Sequence, residues 1–157
     1  GLFFSQPIVV NDNNLIITTS ESVLSYNTLN GSKNWNFSAK VVFKPIISLN
    51  YTYLVLENDL LVCLDNVNGE PIWSKNIFSK VEYKKIKRKF EYVADFKIVD
   101  SLINIYSTKG HLLSFNPNNG NLVELNRISK RGINSEVVFL NNNMLFINNQ
   151  NKLLKFN

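Results

Sequence analysis

One histidine, His111, and one cysteine, Cys63, leave this chain few routes to covalent or metal chemistry. A Ser-His-Asp arrangement needs a base held by an acid and touching a nucleophile. His111 instead follows Lys109-Gly110, which reads as an exposed hairpin turn. A zinc site needs three or four Cys, His or acidic ligands, and one His with one Cys does not supply them. Asp59, Asp65, Asp95 and Asp100 fall at expected strand ends and turns, without the spacing of a calcium loop. There is no Gly-rich phosphate loop. Cys63, between Val62 and Leu64, reads as a buried, inert thiol. The expectation is no catalytic residue, no cofactor-binding residue, no cofactor and no metal.

Two groups of residues could bind rather than react. Trp35 and Trp73 could stack on a planar ligand, but tryptophans at matching positions of successive repeats are expected to pack repeat on repeat. The second group is a cationic stretch carrying Lys80, Lys84, Lys85, Lys87, Arg88 and Lys89, interleaved with Tyr83, Ile86, Phe90 and Tyr92. It reads first as a solvated strand extension or hairpin guarding an exposed sheet edge. It reads second as a basic, aromatic patch for an acidic protein partner, with Lys80, Tyr83, Lys84, Lys85, Lys87, Arg88, Phe90 and Tyr92 as its partner-binding residues. No nucleic acid is expected as partner, because the rest of the chain is nearly charge-balanced within a net charge of +5.

These residues hang on a repeat. Val23-Leu24-Ser25-Tyr26-Asn27, then Asn30-Gly31 and Trp35, recurs as Leu60-Leu61-Val62-Cys63-Leu64-Asp65, then Asn68-Gly69 and Trp73. Gly31 to Gly69, Trp35 to Trp73 and Pro7 to Pro45 are all offsets of 38 residues. Leu112-Leu113-Ser114-Phe115-Asn116 with Asn119-Gly120 is a third copy, its glycine 51 residues after Gly69 and Glu124 standing at the tryptophan position. Leu153-Leu154-Lys155-Phe156-Asn157 opens a fourth. A period near 40 with turn glycines marks a propeller array.

Each copy reads as short strands bounded by Asn, Asp, Gly or Ser. They are expected near 7–10, 15–20, 23–27 and 33–39; near 45–48, 52–58, 60–65 and 71–77; near 93–99, 102–108, 111–116 and 121–128; and near 135–140, 143–148 and 152–157. Leu24, Tyr26, Val62, Leu64, Leu113, Phe115, Leu154 and Phe156 alternate at period two, predicting one packed face on each third strand. The fold class is therefore all-β: a β-propeller of four-stranded antiparallel blades. About four blades span 5–40, 43–78, 93–130 and 133–157, with the basic insert at 79–92. Residues 1–157 read as a partial propeller, half of an eight-bladed one, that self-associates or joins a missing half to close its ring. Gly1 could be a scar of tag removal.

The repeat resembles the pyrroloquinoline-quinone (PQQ)-type propeller repeat: an aliphatic strand ending in Leu-Asp, a short Gly turn, then Trp, as in Leu60 to Trp73. The resemblance covers nearly the whole chain apart from the insert. That superfamily holds quinone-dependent dehydrogenases and non-catalytic scaffolds. The enzymes bind their quinone with an adjacent Cys-Cys pair, acidic metal ligands and a catalytic Asp, none of which can be placed here. The non-catalytic member that fits best is the B component of the outer-membrane β-barrel assembly machinery, an eight-bladed periplasmic lipoprotein. This resemblance implies a protein-interaction scaffold on the periplasmic side of the outer membrane, held there through an upstream lipid anchor, with the barrel-assembly machinery as partner. The alternatives are a fragment of a quinone-dependent dehydrogenase propeller, or a lumenal sensor domain of the same repeats.

The remaining features bound the reading without adding chemistry. No apolar run approaches the ~18 residues of a membrane-spanning helix. Asn30, Asn36 and Asn50 open Asn-X-Ser/Thr triplets. They would matter only in a eukaryotic secreted protein.

Overall fold

The computed structural model describes residues 8–11, 13–79, 87 and 90–156. Its strands pair in chain order as antiparallel meanders, without crossovers. They form two compact units, one of residues 1–77 with 118–120 and one of 78–117 with 121–157.

The first unit holds two four-stranded blades. One consists of β1 (Val9–Asn11), β2 (Asn14–Thr18), β3 (Ser22–Asn27) and β4 (Lys33–Ser38). The other consists of β5 (Ile46–Ile47), β6 (Tyr51–Val55), β7 (Leu60–Asp65) and β8 (Pro71–Asn76). The second unit holds β9 (Val93–Val99), β10 (Leu102–Ser107), β11 (His111–Phe115) and β12 (Leu122–Arg127) as a third blade. Its other sheet is the three-stranded β13 (Val138–Leu140), β14 (Asn143–Ile147) and β15 (Leu153–Phe156). All fifteen lie within a few residues of the strands expected from sequence. Helix is confined to Lys87 and Phe90 among the described residues.

The repeated Gly turn has one hydrogen-bond pattern. The N–H of Asn27 donates to Ser32 O at 2.8 Å, that of Asp65 to Glu70 O at 2.9 Å and that of Asn116 to Asn121 O at 2.9 Å. Gly31, Gly69 and Gly120 supply the left-handed residue, with φ of +70°, +74° and +68°, where a side chain would be strained. Asn27 Oδ1 accepts the N–H of Leu29 at 2.8 Å, and Asp65 Oδ1 accepts that of Val67 at 2.6 Å. Asp65 is thus a turn residue, as its repeat position implied. A β-bulge sits at the matching place in all three copies, at Ser25/Tyr26, Cys63/Leu64 and Ser114/Phe115. Elsewhere, Asp100-Ser101 and Asn141-Asn142 make two-residue turns with positive φ at both positions. That is the geometry whose twist matches paired strands.

The single packed face expected on the third strands holds in β15, where Leu154 and Phe156 face the core, and Leu113 and Phe115 are buried in β11, but β7 and β3 differ. β7 buries Leu61, Val62, Cys63 and Leu64 in succession, the mark of a strand covered on both sides. In β3 the fully buried side chains are Val23 and Ser25, whereas Leu24 and Tyr26 are half-buried. The reason lies in the first unit's core. Ile16, Val23 and Trp35 of the first blade pack with Leu54, Leu56, Val62 and Leu64 of the second. Leu24 and Tyr26 point to the opposite face of the first blade. In the second unit, Tyr106, Ile133, Val137 and Phe146 form the core, with Leu112, Met144, Leu154 and Phe156 against it.

Candidate partner-binding surface

Residues that could do chemistry are spent on structure. Trp35 is 5% exposed, and its Nε1–H donates to Asn66 O at 2.9 Å. Asn66 is itself held, with Oδ1 accepting from Thr52 Oγ1 at 2.6 Å and Nδ2 donating to Ser48 O at 2.9 Å. The indole lies so close over Gly69 that a Cβ there would come within 2.7 Å of the ring. Within the same unit, a Cβ on Gly120 would come within 2.6 Å of Trp73. Both tryptophans therefore pack on turn glycines. Glu124, at the tryptophan position of the third copy, puts no ring there. A cleft of about 290 Å³ lies beside it, lined by Asn104, Ser114, Met144 and Phe156 among others.

Cys63 is buried beside Tyr53 and Trp73. Desolvation pushes its thiol up to about 11, and pushes the Tyr53 phenol up to about 12. Asp95 departs from the sequence expectation: it sits within β9, not at a strand end, and its side chain is fully buried. Its Oδ2 accepts the N–H of Val137 at 2.7 Å and pairs with Lys97 Nζ at 2.6 Å. Lys97 also donates to Val137 O. This ion pair ties β9 to the segment leading into β13. Among the described residues, no three His, Cys, Asp or Glu side chains group as metal ligands. No helix among them is long and apolar enough to cross a membrane.

His111 also departs from expectation. It is 9% exposed rather than a solvent-facing turn residue. The N–H groups of Ile128 and Ser129 both reach Gly110 O, folding the chain after β12 over the β10–β11 turn. His111 thus floors a pocket of about 490 Å³ whose other lining side chains are Lys109, Arg127, Lys130, Arg131 and Asn149. Among the described residues no carboxylate lines it. Glu91 reaches its rim, with Oε2 3.3 Å from Lys109 Nζ. Sequence reasoning missed this cluster because its cations come from three separated places in the chain. The doublet Lys130-Arg131 was the only local signal.

Of the partner-binding set proposed from sequence, Lys80, Tyr83, Lys84, Lys85 and Arg88 lie outside the described residues. Lys87 is exposed and Tyr92 is 72% exposed. Phe90 is a core residue: it is 5% exposed and packs edge-on against Phe78 with ring centroids 5.3 Å apart. Burial removes Phe90 from any contact surface.

No family model and no curated protein matches the chain. Solved structures do. BamB from Moraxella catarrhalis superposes with a TM-score of 0.73 at 11% identity, over 96% of this chain and 42% of that one. The fold is that of a β-propeller. The computationally designed protein Ika4 matches with a TM-score of 0.71 at 7% identity, over 99% of this chain and 92% of that one. The quinohemoprotein alcohol dehydrogenase of Comamonas testosteroni matches with a TM-score of 0.57 at 14% identity, over 80% of this chain and 22% of that one. The chain thus spans less than half the length of BamB.

Proposed function

We propose that this chain is a non-catalytic protein-interaction scaffold, part of a BamB-like factor that assists assembly of outer-membrane β-barrel proteins from the periplasmic side. The observation that carries this reading is the likeness to BamB over nearly the whole chain. The use of both tryptophans, Asp65 and Asp95 in turns and packing agrees with it. On this reading the partner is a protein of the barrel-assembly machinery. Its acidic surface meets the insert through Lys80, Tyr83, Lys84, Lys85, Lys87, Arg88 and Tyr92. Blade-end loops are the natural contact elements of such a fold, because the strands are committed to pairing.

Assembly belongs to the same proposal. In the three-stranded blade, Val138, Leu140, Ile147 and Leu153 share the face turned away from the core and are 56%, 58%, 40% and 69% exposed. An apolar face of this kind marks an interface. Further blades or a second copy of the chain would cover it.

The decisive experiment is a pull-down of barrel-assembly components with the wild-type chain and with Lys84, Lys85, Lys87 and Arg88 all changed to Glu. The reversal is expected to weaken capture and leave the melting temperature nearly unchanged. Unchanged capture would return the insert to edge protection. The quinone-enzyme reading is supported only by the dehydrogenase likeness. It predicts tight binding of pyrroloquinoline quinone with calcium, or dye reduction by alcohols, and either result would displace the scaffold reading.

A further inference from the structure

The pocket floored by His111 was absorbed by none of the above. Four cationic side chains, Lys109, Arg127, Lys130 and Arg131, converge on a volume of about 490 Å³. Like charges brought together at exposed positions repel unless an anion joins them. Among the described residues one such anion is supplied, at the rim: Glu91 bonds Lys109 at 3.3 Å and accepts from Thr108 Oγ1 at 3.2 Å. Glu91 itself holds φ of +65°, a conformation most non-glycine residues avoid. Arg127, Lys130 and Arg131 still face an opening with no carboxylate on its wall among the described residues.

Phosphate sites are commonly cradles of convergent backbone N–H groups. Here several of the nearby amides are committed internally. Gly110 donates to Ser107 O, Ile128 and Ser129 to Gly110 O, and Asn149 to Arg131 O. His111 N–H is held by Ser107 Oγ at 3.0 Å and Arg131 N–H by Ser129 Oγ at 3.2 Å. The long side chains add guanidinium forks, which match carboxylates and phosphates alike. Tyr92 is 72% exposed, and its backbone exchanges bonds with Thr108, next to Lys109. An exposed tyrosine on the segment bonded to a pocket that carries two arginines suits a protein contact, since both residue types are enriched there.

We infer that this pocket is a docking site for a carboxylate-rich peptide segment of a protein partner, with Arg127 and Arg131 as its principal contacts. The inference rests on the scaffold reading and adds a second contact surface, distinct from the insert lysines.

The test is fluorescence anisotropy with a labelled glutamate-rich peptide on the full chain. The same peptide with Gln for Glu, inorganic phosphate and a single-stranded oligonucleotide serve as competitors. Variants Arg127→Gln/Arg131→Gln and Arg127→Glu/Arg131→Glu are compared, with melting curves to confirm folding. The glutamate peptide is expected to bind saturably and the Gln peptide not to compete. The neutral variant should weaken binding by about tenfold or more, the loss of one to two charged hydrogen bonds. Equal binding by the folded Gln variant, or displacement by phosphate or oligonucleotide at lower concentration than by the glutamate peptide, would overturn the inference. A wild-type chain that captures no barrel-assembly protein, whatever the peptide does, counts against the scaffold reading instead. Capture that survives the pocket variants but not the insert reversal overturns the pocket alone.

Discussion

Two glycines share a backbone conformation and differ in a single neighbour, which isolates the tryptophan lock. Gly31 and Gly69 have φ of +70° and +74°. An alanine in the left-handed region costs about 1–2 kcal/mol at either position. At Gly31 the new Cβ would meet nothing within 4 Å, whereas at Gly69 it would lie 2.7 Å from the Trp35 ring. Carbon atoms prefer ~3.5–4.0 Å, so the indole must retreat by roughly 1 Å from a site where its Nε1–H holds Asn66 O. Overpacking of this sort costs a further ~1–3 kcal/mol. Gly31→Ala should therefore lose about 1–2 kcal/mol and Gly69→Ala about 2–5 kcal/mol, read from urea denaturation at constant slope. At ~2–4 °C per kcal/mol for a chain of this size, the two melting temperatures should differ by several degrees. In a Trp35→Ala background the excess at Gly69 should vanish to within ~0.5 kcal/mol. Equal losses for Gly31→Ala and Gly69→Ala in the otherwise native chain would refute the reasoning, because the ring would then not be packed on the turn.

Asp95→Ala leaves the buried Val137 N–H without its acceptor and should cost about 1–3 kcal/mol in urea denaturation; a loss under ~0.5 kcal/mol would mean that Asp95 does not hold β9 to the segment leading into β13. Stability should fall in alkali. Burial pushes the Cys63 thiol up to about 11 and the Tyr53 and Tyr106 phenols up to about 12. The unfolded chain thus releases these protons first, from ~8.5 for thiol and ~10 for phenol. Their contribution is whole below those values and lost as pH climbs toward 11 and 12, and a flat urea midpoint from pH 8 to 11 would contradict it. Light scattering at rising concentration should show self-association through the face of Val138, Leu140, Ile147 and Leu153; a monomer throughout would argue that this face is not an interface between copies.

The sequence alone determined the blades. Period-two apolar runs, the 38-residue offset and the Asn-Gly turns are local signals. Strand pairing between chain neighbours adds little that is non-local, so the fifteen strands were legible before any coordinates. The turn role of Asp65 and the burial of Cys63 followed from the same periodicity. Only the tertiary structure decided what each face touches. Val23 and Ser25 are buried in place of Leu24 and Tyr26 because the neighbouring blade lies on their side, and alternation cannot say which side that is. Phe90 left the proposed surface because Phe78 covers it, a contact across the insert that composition does not encode. Asp95 became a buried ion-pair partner because Lys97 of its own strand and Val137 of the segment leading into β13 both meet it. The basic pocket is the extreme case. Lys109, Arg127 and the Lys130-Arg131 doublet are unremarkable in sequence, and they become one electrostatic feature only when the chain after β12 folds back over the β10–β11 turn.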